Sequence, residues 1–139
     1  MEIKVKLDNG AYEPVREHST DAGLDLKSRE TKVVCPNSSA IFDTGVHIQL
    51  PPNTAGLLVS KSGLNVKHNI TSTGLIDEGY TGSIIVKLYN HSNTYYFVNK
   101  GDKISQLIII PVMYCTPKTV ESINQNTERG NKGFGSTGK

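Results

Sequence analysis

The sequence predicts an all-β protein. Short runs of alternating or β-branched residues recur along it, thirteen glycines and six prolines lie between those runs, and no long window carries a capped helical period. Many short strands with closely spaced turns are the pattern of a β-sandwich or barrel. Ile3, Val5 and Leu7 alternate with charged residues, as in a half-buried strand. Val33 and Val34 lead into a turn at Pro36-Asn37-Ser38. Ala40 to Leu50 is strand-like and stops at Pro51-Pro52-Asn53, and Gly56 to Ser60 is a further strand. A short helix is expected after Ser62, through Gly63-Leu64-Asn65-Val66-Lys67. Ser83 to Tyr89 and Tyr95 to Val98 are rich in β-branched and aromatic residues.

Ile104 to Met113 is a different kind of strand. Ile108, Ile110 and Val112 fall on one face, and Leu107, Ile109 and Met113 on the other. A surface strand of a monomeric sandwich keeps one polar face. Either a loop or another subunit must cover the second face, and a subunit interface is the expectation. After Cys115 the large apolar residues thin out to Val120, Ile123 and Phe134. Such a segment buries too little surface to offset its ordering entropy. Residues 1–116 are therefore expected to form the β domain and 117–139 a flexible C-terminal arm.

Composition bounds the function. A chain of 139 residues is long enough for one core. A net charge of +2 gives no argument for nucleic acid or membrane binding. Cys35 and Cys115 form no C-x-x-C pair and are expected to be free, buried thiols in a reducing compartment. MEIKVKLDNG reads as a strand and not a signal peptide, and the apolar run Leu107 to Met113 is too short to span a bilayer. A soluble, intracellular protein is expected. His18, His47, His68 and His91 show no metal-ligand spacing and read as structural or surface residues.

The last residues, GFGSTGK, match most of the phosphate-loop pattern G-x-x-x-x-G-K. That loop needs a Ser or Thr after its Lys and a helix beyond it. Lys139 is followed by neither, so a built-in phosphate loop is not expected. The physical content survives: glycine-rich backbone presents N–H groups to an anion, Ser136 and Thr137 add hydroxyls, and Arg129 and Lys132 add charge. Phe134 between two glycines suits a lid over a flat ring.

GLIDEGYTG, Gly74 to Gly82, resembles a hairpin turn with Asp77 at its mouth. Asp77 is either a turn carboxylate bonding its own backbone or a general base poised over a water. In SKSGL, Ser60 to Leu64, Ser62 can cap the short helix or help bind an anion. Gln106 in GDKISQL is a polar residue at the edge of the apolar strand and needs a partner. Asp25 in AGLDL sits between leucines and needs cations or donors.

Five motifs in this order resemble the trimeric all-β dUTP pyrophosphatases (dUTPases): AGLDL at 22–26, SKSGL at 60–64, GLIDEGYTG at 74–82, GDKISQLI at 101–108 and RGNKGFGSTG at 129–138. The resemblance implies a jelly-roll β domain and a homotrimer. Its sites lie at subunit interfaces, and the arm closes over dUTP. It implies Mg²⁺-dependent hydrolysis to dUMP and pyrophosphate, which keeps uracil out of DNA and supplies dUMP for thymidylate synthesis, in the cytoplasm or inside a host cell if the source is viral. By position, Asp77 would activate the attacking water and Tyr80 would pack under deoxyribose. Backbone around Ile70 to Leu75, together with Gly74 and Ile76, would read the uracil edge. Lys61, Ser62, Gly63 and Gln106 would serve the phosphates, and Asp25 would hold Mg²⁺ through water. Arg129, Gly135, Ser136 and Thr137 would grip the γ-phosphate, and Phe134 would stack on uracil.

Two positions depart from the family pattern. Lys61 stands where Arg is usual, which keeps the charge and loses the bidentate fork. Thr71 stands where Asn is common, which puts its side-chain contact with uracil in question. The related dCTP deaminases carry a Glu ten residues after the equivalent of Asp77. Lys87 stands here and cannot act as that carboxylate. The remaining alternative is a dUTP-binding regulatory trimer in which catalysis is secondary.

Overall fold

The computed structural model describes residues 2–135, 137 and 138. It is an antiparallel β-sandwich of jelly-roll type, built from four small sheets. β1 (Lys4–Leu7) pairs with β5 (Val46–Gln49), and β3 (Lys32–Val34) with β10 (Tyr96–Val98). β4 (Ser38–Asp43), β9 (Ile85–Asn90) and β7 (Ile70–Thr71) form a three-stranded sheet. The largest sheet has the order β2 (Leu24–Lys27), β11 (Lys103–Pro111), β6 (Thr54–Val59), β8 (Thr73–Ile76). The one helix among the described residues, α1 (Ser62–His68), follows β6 and ends at Asn69 in the left-handed conformation, φ 55°.

Period-two alternation places the core. On β9, Val86, Leu88 and Asn90 point inward while Ile85 and Lys87 face out. The inward residues share one core with Phe42 of the adjacent β4 and with Leu26, Val46, Leu58 and Ile76 from the other sheets. Asn90 is tolerated there because its amide donates to the carbonyls of Val34 (3.0 Å) and Thr94 (2.8 Å).

Two expected elements differ. Ala40 to Leu50 is not one strand: it breaks at Thr44-Gly45, where the chain leaves the β4 sheet for β5. Gly45 has φ +68°, and the Arg29 guanidinium occupies the place a Cβ would take. The segment around Asp77 is not a hairpin turn either. β7 and β8 belong to different sheets, as do β8 and β9. Ser72 makes the first crossing possible: buried between the sheets, it takes a bond from Ser105 or gives one to it (2.8 Å), and its N–H donates to Ser60 Oγ (2.9 Å).

On β11, Leu107 is buried, but Ile108 and Ile110 on the opposite face stay partly open and Met113 is exposed. Leu57 of β6 and Leu75 of β8 lie in register with Ile108, so this apolar stripe crosses three strands, with Leu75 exposed and Leu57 and Ile108 partly open. Both cysteines are free, as expected, but they are exposed. Cys35 ends a strand at a turn and Cys115 follows the last strand, so neither position has a sheet to bury it. No helix of the described residues is long and apolar enough to cross a membrane.

His47 ties the amino-terminal strand to the rest. One ring nitrogen bonds the Thr81 carbonyl (2.8 Å) and the other the Asp8 carboxylate (3.1 Å). The Thr81 carbonyl, and then Asp8, raise its pKa above the ordinary imidazole value. A raised folded pKa stabilises fully below the unfolded value, and that gain is lost as pH rises through the folded value. His47→Gln should therefore lower Tm at about pH 5.5, with the gap to wild type closing by about pH 8.5; thermal melts across that range check it.

Candidate functional site

Asp77 begins the loop after β8. It is exposed, and its carbonyl accepts the Tyr80 N–H (3.0 Å), closing a tight turn. The Tyr80 hydroxyl donates to the Ser83 carbonyl (3.0 Å), which lays the ring across Gly82. A Cβ at 82 would overlap that ring, so glycine is what lets Tyr80 lie there. Asp77 borders two open clefts. One, about 200 Å³, is lined by Leu58, Gly74, Leu75, Ile76, Tyr80, Ile84 and Ile85. The other, about 390 Å³, lies between Thr54, Ala55, Leu75, Glu78, Gly79, Val112 and Tyr114.

A second group forms at the β2–β11–β6 junction. Gln106 is in register with Asp25 on one side and Val59 on the other, and its side chain packs on Gly23. Asp25 is 6 % exposed, and each of its oxygens meets an ammonium: Lys61 on Oδ1 (2.5 Å) and Lys103 on Oδ2 (2.9 Å). Lys103 also bonds Glu17 (2.8 Å). Burial is the largest influence on Asp25 and opposes its charge, yet the two lysines outweigh it and hold the carboxyl below its usual range. The sequence required cations for Asp25 but did not reveal Lys103. Its signal was a register shift in β11 between Lys103 and Ser105, which turns Ile104 and Ser105 both inward and leaves Lys103 beside Asp25.

Ser62 does not cap the helix: Lys61 occupies the N-cap position without a side-chain cap bond, and Ser62 is the first helical residue. Nothing crowds a Cβ at Gly63. Thr71 lies on β7, where its hydroxyl bonds His91 Nε2 (2.7 Å), and it lines neither cleft beside Asp77.

These groups do not meet within one chain. Gly56 pairs with Ile76, and Val59 with Thr73. Asp77 therefore emerges at the start of β6, while Lys61 and Ser62 follow its end, about 14 Å further along at strand rise. After Pro111 the described chain has no strand or helix. Arg129, Lys132 and Thr137, with Glu128, line an open cleft of about 410 Å³ in the C-terminal segment, and Phe134 is fully exposed. Ser136 lies outside the described residues.

No group of three or more His, Cys, Asp or Glu among the described residues is placed to hold a metal by itself. Each oxygen of Asp25 already accepts from one lysine, and a lone pair remains on each for a further donor such as the water of a hydrated ion.

The dUTPase family model matches residues 11–138. The chain belongs to the dUTPase family. Among its relatives, the deoxyuridine 5'-triphosphate nucleotidohydrolase of Gloeothece citriformis is 43 % identical over 99 % of this chain and 97 % of that protein. That of Clostridium acetobutylicum is 43 % identical over 99 % and 96 %. The dUTPase of Staphylococcus bacteriophage 80alpha, solved with dUpNHpp, superposes with a TM-score of 0.92 at 34 % identity over 99 % of each chain. A variant of the S. aureus phage phi11 dUTPase, described with a structural Mg(II) ion, gives 0.81 at 31 % identity over 88 % of this chain and 98 % of that one.

The lysine pair gives a stability prediction for this dUTPase-family chain. Replacing Lys61 alone with Met should cost about 1–3 kcal/mol, and replacing Lys103 alone should be destabilising in the same direction. The double variant leaves a buried carboxylate unpaired and should cost about 3–5 kcal/mol. Adding Asp25→Asn should recover most of that loss; urea unfolding of the series checks both.

Proposed function

We propose that this chain hydrolyses dUTP to dUMP and pyrophosphate, with Asp77 as the base that activates the attacking water. One observation carries the proposal: in a chain of this family, Asp77 stands exposed at the mouth of two clefts with Tyr80 fixed beside it. A carboxylate there can take a proton from water, and the neighbouring ring gives a flat apolar surface for a sugar without a 2′-hydroxyl. Backbone around Gly74 and Ile76 would read the uracil edge.

Lys61, Ser62, Gly63 and Gln106 would serve the phosphates, which is where charge develops in the transition state. Mg²⁺ is the proposed cofactor; when bound it neutralises the triphosphate, and Asp25 would touch its water shell. The lysines on Asp25 limit that carboxylate to an orienting part. Arg129, Gly135, Ser136 and Thr137 would close on the γ-phosphate with Phe134 over the base, and 117–139 would be the arm that carries them. With dUTP as substrate, the cytoplasm is the proposed place of action.

The 14 Å or so between the Asp77 end and the Lys61 end of β6 means that one chain does not hold a whole site. A homotrimer would join the two halves across subunit boundaries and would cover the Leu57–Leu75–Ile108 stripe.

Asp77→Asn should lower kcat by about 10²-fold or more while dUpNHpp binding stays within a few-fold; near-normal turnover removes Asp77 from the base role. Deleting 126–139 should leave Tm and assembly unchanged, because every described residue of that segment is exposed. It should lower kcat/KM by about 10²-fold or more through lost charged hydrogen bonds. Light scattering alongside dUTP kinetics checks this, and a fall to monomer would assign the segment to assembly.

A further inference from the structure

Glu78, the neighbour of Asp77, joins three segments that are far apart in sequence. Its Oε2 accepts the Tyr114 hydroxyl at 2.5 Å and the Asn53 N–H at 2.9 Å. The Asn53 carbonyl in turn accepts the Val112 N–H at 2.9 Å. One carboxylate oxygen therefore links the Asp77 turn, the turn before β6 and the chain just after β11. The Tyr114 hydroxyl, and next the Asn53 N–H, hold the Glu78 carboxyl below its usual range, while the Tyr114 phenol is pushed up. Tyr114 is 67 % exposed, so packing does not explain where its ring lies. The hydroxyl bond is what sets its place.

We infer that Glu78 is a positioning residue that locks the Asp77 turn to the root of the C-terminal segment. The inference rests on the reading of Asp77 as the base. Two effects could follow from losing the lock. Releasing the root from Tyr114 back to Pro111 lengthens the free chain to Arg129 from about 15 to about 18 residues. Effective concentration falls with roughly the three-halves power of length, about 1.3-fold, which is too little to matter. The other effect is on the turn. Asp77 is exposed and its turn is closed by a single backbone bond from Tyr80. The next residue along is Glu78, so freeing it lets the carboxylate of Asp77 wander from its working geometry. Misplacement of a reacting group acts on the chemical step. The lock should therefore be read in kcat and not in KM.

The test uses full-length protein with Glu78→Ala, Glu78→Gln, Tyr114→Phe and the double Glu78→Ala/Tyr114→Phe. Gln keeps an oxygen that accepts from both donors. Glu78→Ala and Tyr114→Phe should each lower kcat for dUTP about 3- to 10-fold with KM within about twofold. Glu78→Gln should stay near wild type, and the double variant should be no worse than Glu78→Ala. Wild-type kcat in Glu78→Ala, equal damage in Glu78→Gln, or additive losses in the double variant would each overturn the inference. Limited trypsin cleavage at Lys118 separates this from the functional reading, because it needs no turnover. Glu78→Ala and Tyr114→Phe should be nicked several-fold faster than wild type and Glu78→Gln. Equal nicking in all four proteins overturns the lock whatever the activity. A wild type that leaves dUTP intact overturns the hydrolase reading and leaves the nicking result to decide the lock.

Discussion

The pairing of β6 with β8 on one side and β11 on the other governs where everything else falls. Its register sets Gly56 against Ile76 and Val59 against Thr73. That pairing is specified by the core: a Cβ at Gly56 would press on Leu107 and Ile76, and one at Gly74 would press on Leu58. A slip of β6 by one residue would turn Leu58 outward, away from Ile76 and Leu107. With the register fixed, the Asp77 loop and the Lys61–Ser62 step are fixed too, at opposite ends of one strand. The division of the candidate site is thus a consequence of strand pairing and not of any loop.

The two ends solve different electrostatic problems. At the β2–β11–β6 junction a nearly buried carboxylate is held by two ammonium groups, one of which also reaches Glu17. Desolvation makes that arrangement costly unless every charge is matched, and here both oxygens are. At the other end Asp77 stays exposed and free of a salt bridge among the described residues, which suits the proposed proton exchange with water. Rigidity is placed where phosphates would be oriented, and access where a proton would move.

Much of this was legible in the sequence. Alternation found the strands, and the five motifs found the family, because each motif is a contiguous stretch whose spacing the chain preserves. The losses have a common cause: partners distant in sequence. The hairpin expected around Asp77 failed because β8 and β9 look like consecutive strands, while β8 pairs with β6 and β9 with β4, partners that lie far from the loop in sequence. Lys103 was hidden by a register shift that no local pattern announces. Thiol burial was misjudged because apolar character says nothing about whether a sheet is present to cover Cys35 and Cys115. The apolar stripe on β11 was legible as a two-faced strand, but its continuation through Leu57 and Leu75 needs the pairing.

The two departures from the family pattern look less consequential once their neighbours are known. An Arg at 61 would offer a planar fork, whose advantage is a bidentate grip on one carboxylate. Asp25 has no use for that grip, since Lys103 already occupies Oδ2 and leaves a single oxygen to satisfy. A point donor of Lys61's reach fills it at 2.5 Å. Thr71 likewise spends its hydroxyl on His91, which stacks at 6.4 Å on Tyr89 across the same sheet face. Each departure is matched to a partner supplied by another segment of the chain, so a motif position is better judged by what faces it than by the residue the motif usually holds.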